Sequence, residues 1–395
     1  AFGHADADAT FDRADVTVGA AFEQRLSPSW RHRLSYGVTR SRQQSVNRVA
    51  DPDYLPRYGA SVAPFTFSDY TYDTENVLTR HTASWQVDAR HTGRVNHLVT
   101  AAIDWDGERA RLDDRMAKTS LPASRDNVGV TAQHQLVTRR VSVASSLRYE
   151  RNDSFGHAWV PRVSAVVVVR DGAAGATLLK GNAGTGVKEP TILQSFSPNA
   201  FYLGNPDLAP ERARTWDVGV EQRLAGDRMR IDAVWFDNVY RQKITTKTVS
   251  FSPYRAQFVN LTDRATARGL EASLDIAPVR TLRIAAGYTY VDADAALRRP
   301  AHSGFARASW RPARGSLDVD VRKVGVRADN DFSSLSPSLL ESGGEWVWNA
   351  AASVRLGARV EAVGRVENAF DRQYMEPLGY PAWGRVWHGG LRVRF

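Results

Sequence analysis

The last strand-like segment runs Arg385 Val386 Trp387 His388 Gly389 Gly390 Leu391 Arg392 Val393 Arg394 Phe395, with Trp387, Leu391, Val393 and Phe395 on one face and His388, Arg392 and Arg394 on the other. Side chains of a strand alternate between faces, so such a segment lies either on a core or between water and lipid. The same period recurs upstream. Val141, Val143, Leu147 and Tyr149 alternate with Ser142, Ser146, Arg148 and Glu150. Leu282, Ile284, Ala286, Tyr288 and Tyr290 alternate with Arg283, Gly287 and Thr289, and Leu317, Val319 and Val321 with Asp318, Asp320 and Arg322. Segments of about ten residues with one apolar and one polar face predict strands of a transmembrane β-barrel.

The connections alternate too. Tight ones are predicted at Leu26 to Ser29, His91 to Arg94, Thr138 to Arg140, Asp171 to Gly175, Ala225 to Asp227, Pro278 to Thr281, Pro312 to Gly315 and Leu356 to Ala358. Long polar and aromatic ones fall at Gln44 to Thr71, Arg111 to Ser124, Glu189 to Arg212, Asp292 to Ala301 and Asn330 to Gly343. Short turns on one side and long loops on the other is the outer-membrane arrangement, long loops outside. Counting back from Phe395 gives roughly 17 strands. Single-chain bacterial barrels have even numbers, and the first predicted strand, Ala14 to Arg25, runs into a short turn, so earlier strands are expected before it. A soluble sandwich or propeller is the competing arrangement for alternating strands, but no four-strand repeat is present.

Composition changes this picture little. The 395 residues show no linker dividing them, which predicts one body. Mean hydropathy is -0.40 and the longer apolar stretches, such as Ala165 to Val169, are far short of a membrane helix. The absence of cysteine excludes a disulfide scaffold and thiol catalysis. The net charge of +9 is spread through the alternating segments, which argues against a nucleic-acid patch and places basic residues near anionic headgroups.

More specific residues begin at Gly184 Thr185 Gly186 Val187 Lys188 Glu189 Pro190 Thr191, followed by Gly204 Asn205 Pro206 Asp207 Leu208 Ala209 Pro210 Glu211 and then Trp216, Gly219 and Glu221. Asn260 precedes Gly269 Leu270 Glu271, and Val366 Glu367 Asn368 Ala369 Phe370 Asp371 precedes Tyr374, Gly379 Tyr380 Pro381 and Gly384 Arg385. In this order they resemble the barrel of TonB-dependent outer-membrane receptors, with Glu189 in place of the usual Ala. The resemblance implies an all-β antiparallel barrel of about 22 strands, of which this chain supplies about 17, with the N-terminal plug, the first strands and the TonB-coupling segment lying outside it. It further implies active import of a scarce large ligand, a ferric siderophore or cobalamin, energised through TonB. A passive porin is the alternative. Expected partners are outer-membrane lipid and lipopolysaccharide, the TonB complex, a small-molecule chelate and, through Leu391, Val393 and Phe395, the barrel-assembly machinery.

Most of the motif residues carry turn chemistry. Pro206 and Pro210 restrict the backbone on either side of Asp207 and Leu208, Glu211 is placed to meet backbone donors, and Asn368 and Asp371 suit local side-chain-to-backbone turns. Gly269, Gly364 and Gly389 suit a close approach of neighbouring structure. Phe196, Phe201, Tyr202, Tyr254, Tyr380 and Trp383, with Tyr54 and Tyr58, are candidates to line a vestibule for a large, partly apolar ligand. No nucleophile, His and carboxylate grouping has informative spacing, so neither catalysis nor a cofactor is expected. Asp6, Asp8, Asp12 and Asp15 lack the spacing of a calcium loop, and no metal site is assigned to them.

Overall fold

The computed structural model describes residues 8–394 except 56, 59, 60, 63–65, 67, 68, 200, 252, 253, 295, 296 and 332–337. Its wall consists of β1 (Thr10–Ser27), β2 (Trp30–Asn47), β3 (Tyr72–His91), β4 (Asn96–Asp114), β5 (Thr119–Val137), β6 (Val141–Asn152), β7 (Gly156–Gly172), β8 (Gly175–Lys188) and β9 (Glu211–Leu224). It continues with β10 (Met229–Arg241), β11 (Ala265–Val279), β12 (Leu282–Ala293), β13 (His302–Trp310), β14 (Gly315–Val324), β15 (Glu345–Arg355), β16 (Val360–Glu367) and β17 (Val386–Val393). These make one 17-stranded sheet in which each strand pairs antiparallel with the next in the chain. The expected architecture and strand number are therefore present.

The register carries one pair of faces around the wall. Leu282, Ile284 and Tyr288 share a face with Ala308, Trp310 and Gly304, opposite Arg283, Gly287 and Arg307. That face continues through Leu317, Val319 and Val321 to Trp348, Ala350 and Ala352, and ends at Trp387, Leu391 and Val393 on β17. Trp387 and Leu391 are about 70% exposed, which for such large apolar groups marks a lipid-facing surface. Phe395 lies outside the described residues. The opposite face carries the charges: Arg31 on Asp88 at 2.7 Å, Arg148 on Asp104 at 2.6 Å and Arg230 on Glu221 at 2.7 Å.

The tight turns fall where the alternation predicts them. Gly175 opens β8 at φ +126, and a Cβ there would sit 2.0 Å from the Arg223 carbonyl oxygen, so the chain needs glycine at this turn. Parts of two expected loops are strand instead. Residues Gln44 to Asn47 complete β2, and Arg111 to Ser124 form the ends of β4 and β5 with only residues 115–118 between them. Arg111 and Asp113 face outward there while Ala110 and Leu112 face inward and are buried. The alternation persists above the membrane with its polarity reversed, which is why it reads as loop. β1 and β17 each pair on one side only among the described residues, and nearly all of β1 is exposed on both faces.

Ile284→Arg should cost about 2–4 kcal/mol of folding stability if Ile284 faces mid-bilayer, whereas Thr289→Arg, which faces the lumen opposite Glu271, should cost far less. Urea titration of the two variants refolded into bilayers measures the difference, and equal costs would contradict the assignment of faces.

Candidate functional site

The inner wall is lined by paired charges, and the segments that fold over it gather at the outer mouth. The segment from β8 to β9 leaves the rim and folds onto the inner face of β3–β5, three to five strands along the sheet from β8. It carries α1 (Ile192–Phe196), started by Thr191, whose hydroxyl accepts from the Gln194 backbone while the Gln194 side chain accepts from the Thr191 N–H. Ile192 and Phe196 pack on Ala110 and Leu112, with Leu78 and Ala123 around them. An inward apolar patch on an otherwise polar wall is thereby covered.

Charge fixes the same strap. Arg125, 5% exposed, reaches from β5 to the Pro190 carbonyl and the Glu108 carboxylate, and lies 3.2 Å from Glu189. Asn152 donates to Glu189 from β6. Burial pushes the Glu189 carboxyl above its ordinary range, opposed by the Arg125 guanidinium and the Asn152 amide and reinforced by the Glu108 carboxylate. Beneath the strap is a cavity of about 300 Å3 lined in part by Gln43, Asn76, Arg80 and Leu193.

The motif around Asn205 is a clasp between loops. The Asn205 amide donates to Phe258 O at 3.0 Å and its oxygen accepts from Asp207 N. Asn260 exchanges hydrogen bonds with Ala209, accepting from its N–H and donating to its carbonyl, both at 2.9 Å, and also donates to Gln242 O. Leu208 and Pro210 are buried in this clasp while Pro206 is exposed. Glu211 accepts from the Ile244 N–H at 2.8 Å and pairs with Lys188 at 2.9 Å, so it meets the first donor of the strand Ile244–Phe251. Trp216 faces outward opposite Asp237, and Glu271 faces inward beside Val234 and Thr289.

The final outer loop closes in the same manner. Asn368 donates to the Arg372 and Trp383 carbonyls, and Asp371 accepts from the Arg385 N–H at 2.8 Å. A Cβ on Gly384 would meet Asp371 Oδ1 at 2.6 Å. Arg322 donates to the Tyr374 hydroxyl at 2.8 Å, with its guanidinium carbon 5.9 Å from that ring's centre. Arg322, Arg365, Tyr374, Trp383 and His388 bound an inward-facing cavity of about 690 Å3.

The expected vestibule aromatics do not form one group. Phe196 is consumed in packing α1, and Phe201 lies 5.1 Å from the ring of Tyr70, on the loop that follows β2. Tyr202 and Tyr380 are exposed, and Trp383, 84% exposed, alone borders the larger cavity. The side chains of Tyr254 and Tyr58 lie outside the described residues. Gly364 and Gly389 sit opposite each other on the outward face, away from the lumen, while Gly269 makes room for the Tyr290 carbonyl and the Phe236 ring. Asp12 and Asp15 point to opposite faces of β1, and Asp8 accepts from the Val49 N–H. Arg125, Glu108, Arg322 and Arg365 were not singled out by the sequence, where each is one more charge on an alternating strand.

A family profile described as TonB dependent receptor-like, beta-barrel, matches residues 1–369. Among solved structures, the siderophore receptor PirA from Acinetobacter baumannii aligns with a TM-score of 0.73 at 16% identity, covering 98% of this chain and 63% of that one. A ferric enterobactin receptor from Pseudomonas aeruginosa, PfeA, in complex with enterobactin, aligns at 0.67 and 14%, over 98% of this chain and 71% of that one. The copper transporter OprC aligns at 0.67 and 16%, over 98% and 66%. The chain thus spans a little under two thirds of the PirA structure, and at these identities the likeness is one of fold.

A carboxyl whose value is raised in the docked state favours docking in its neutral form. Docking of the strap should therefore be strongest below the ordinary glutamate range and weaken as pH climbs through the raised value. Hydrogen exchange of the α1 amides should lose protection between acidic and alkaline pH relative to Glu189→Gln at each pH; equal behaviour of the two proteins would remove Glu189 from the lock.

Proposed function

Because the chain belongs to the TonB-dependent receptor-like β-barrel family, whose barrels are outer-membrane proteins, we propose that it forms the wall of an importer for a ferric chelate of the siderophore class. The chelate enters from the long-loop side, and TonB, drawing on the inner-membrane proton gradient, energises its release inward. The observation that carries this reading is the outer mouth, where the cavity beside the final loop joins Arg322, Arg365, His388, Tyr374 and Trp383 with the carboxylates of Asp320 and Glu367 on the lumen side of β14–β17. Ion-paired polar groups beside aromatic faces suit a polar, ring-bearing chelate better than an apolar solute. The siderophore receptors among the neighbours support the class.

The partners of this reading are the chelate, the TonB complex, the surrounding lipid and, for β17, the assembly machinery. Unpaired strand edges cannot face hydrocarbon, so the edges of β1 and β17 speak against a passive pore made of these 17 strands alone. We assign closure of that seam to further strands of the same receptor, which accords with the odd strand number.

Arg322→Ala with Trp383→Ala, made in the whole receptor, should weaken binding of a ferric catecholate by about tenfold or more, read as tryptophan quenching in purified protein. Uptake of the radiolabelled chelate by cells should stop when TonB is deleted or the proton gradient is collapsed. Uptake that persists without TonB would contradict active import and favour the porin.

A further inference from the structure

The short-turn rim of the wall carries a cluster that import through the lumen leaves unused. Three of the chain's nine histidines meet there: His91 at the end of β3, His97 at the start of β4 and His134 near the end of β5. His91 and His97 stand directly opposite each other, and His134 lies one alternate step further along, level with Val99. All three are on the outward face, away from the inward Asp88 and Asp104. Their neighbours on that face are Ala89, Val99, Ala132, Leu136 and Ser145, so no carboxylate shares the patch.

Nδ1 of His97 lies 3.0 Å from Nε2 of His134. The two ring planes differ by 6° and the ring centres are 5.3 Å apart, which is the nitrogen separation with one ring radius added at each end. The rings therefore lie end to end in nearly one plane, each aiming a nitrogen at the other. One of those nitrogens carries a hydrogen and the other a lone pair, because two N–H groups or two lone pairs would repel at this distance. The centre of the His91 ring is 6.2 Å from that of His97. His91 and His134 are exposed and His97 is half-buried, so the cluster is open to solvent at the rim.

We propose that His97 and His134 bind a late first-row divalent metal ion, copper(II) most tightly, with His91 as the third ligand. Imidazoles without a carboxylate suit copper, nickel and zinc and do not suit calcium or magnesium, and copper(II) heads the divalent series. Two imidazole nitrogens about 2.0–2.1 Å from one ion and at a right angle, as in a square copper(II) site, are about 2.9 Å apart. That is close to the separation already present, so only the ring directions have to change. Each ring turns until its lone pair meets the ion, and the ring that now donates passes its hydrogen to its outer nitrogen through water. No net proton is lost and no electron is transferred. Among the described residues no three such groups already surround one point, so the pair holds the ion first and His91 turns onto it. The site depends on strand register alone and lies outside the wall, apart from the chelate cavity.

The test uses the full receptor in detergent, stripped of metal with a chelator and checked for folding by its heat-dependent gel mobility. One equivalent of copper(II) is added and read by electron paramagnetic resonance, with affinity measured against a competing chelator of known strength. The wild type should show copper coupled to three imidazole nitrogens, and so should His32→Gln, which changes an outward histidine of β2 outside the cluster. His97→Gln and His134→Gln should each bind copper about tenfold or more weakly, and His91→Gln should reduce the coupled nitrogens to two. Wild-type copper without imidazole coupling, or wild-type affinity in the folded His97→Gln/His134→Gln double variant, would overturn the site. Unchanged coupling in His91→Gln would overturn the three-histidine set.

Discussion

Backbone amides and carbonyls that face hydrocarbon have no water to bond, and that single constraint organises the molecule. Between the edges of β1 and β17 it is met by an antiparallel ladder in which each strand takes its partners from its neighbours in sequence. Once the ladder is set, side chains have only two directions. A one-residue slip anywhere would send Arg283 into lipid and Ile284 into the lumen, so register and sidedness are one property. The charges that line the inner wall are the necessary complement of an apolar exterior, and they make the lumen wet.

The constraint applies only within the bilayer, and the structure changes character where it ends. At the top of β2–β5 the outward face becomes arginine and acid while the inward face becomes Ala110, Leu112 and their neighbours. That inward patch holds α1, and Arg125 anchors the strap by its charge. The loops above the wall are therefore ordered by ordinary water-soluble packing on a rigid rim. A mouth built in this way combines a fixed frame with a strap held by packing and charge.

The wall was legible in the sequence because period-two alternation is local: Leu282 to Tyr290 discloses its faces without reference to any other strand. The mouth was not, for two reasons. Reversed polarity disguised Arg111 to Ser124 as loop, although its alternation is intact. And the contacts that shape the site join distant residues, Arg125 to Pro190, Asn260 to Ala209 and Arg322 to Tyr374, whose pairing depends on which stretch of rim each loop crosses. Turn chemistry at Asn205 and Asn368 could be read from neighbouring prolines and acids, but their carbonyl partners could not. The aromatic residues illustrate the limit, since Phe196, Phe201 and Trp383 look alike in sequence and serve packing, loop contact and cavity lining respectively.

The central claim is that one face of this ladder meets lipid and the other a wet lumen. The chain has no cysteine, so single cysteines placed in turn at each position from 282 to 291 of the receptor in bilayers can carry a nitroxide label. The account predicts high collision rates with oxygen at 282, 284, 286, 288 and 290, and high rates with a water-soluble nickel chelate at the positions between them. The opposite phase, or no alternation at all, would contradict it.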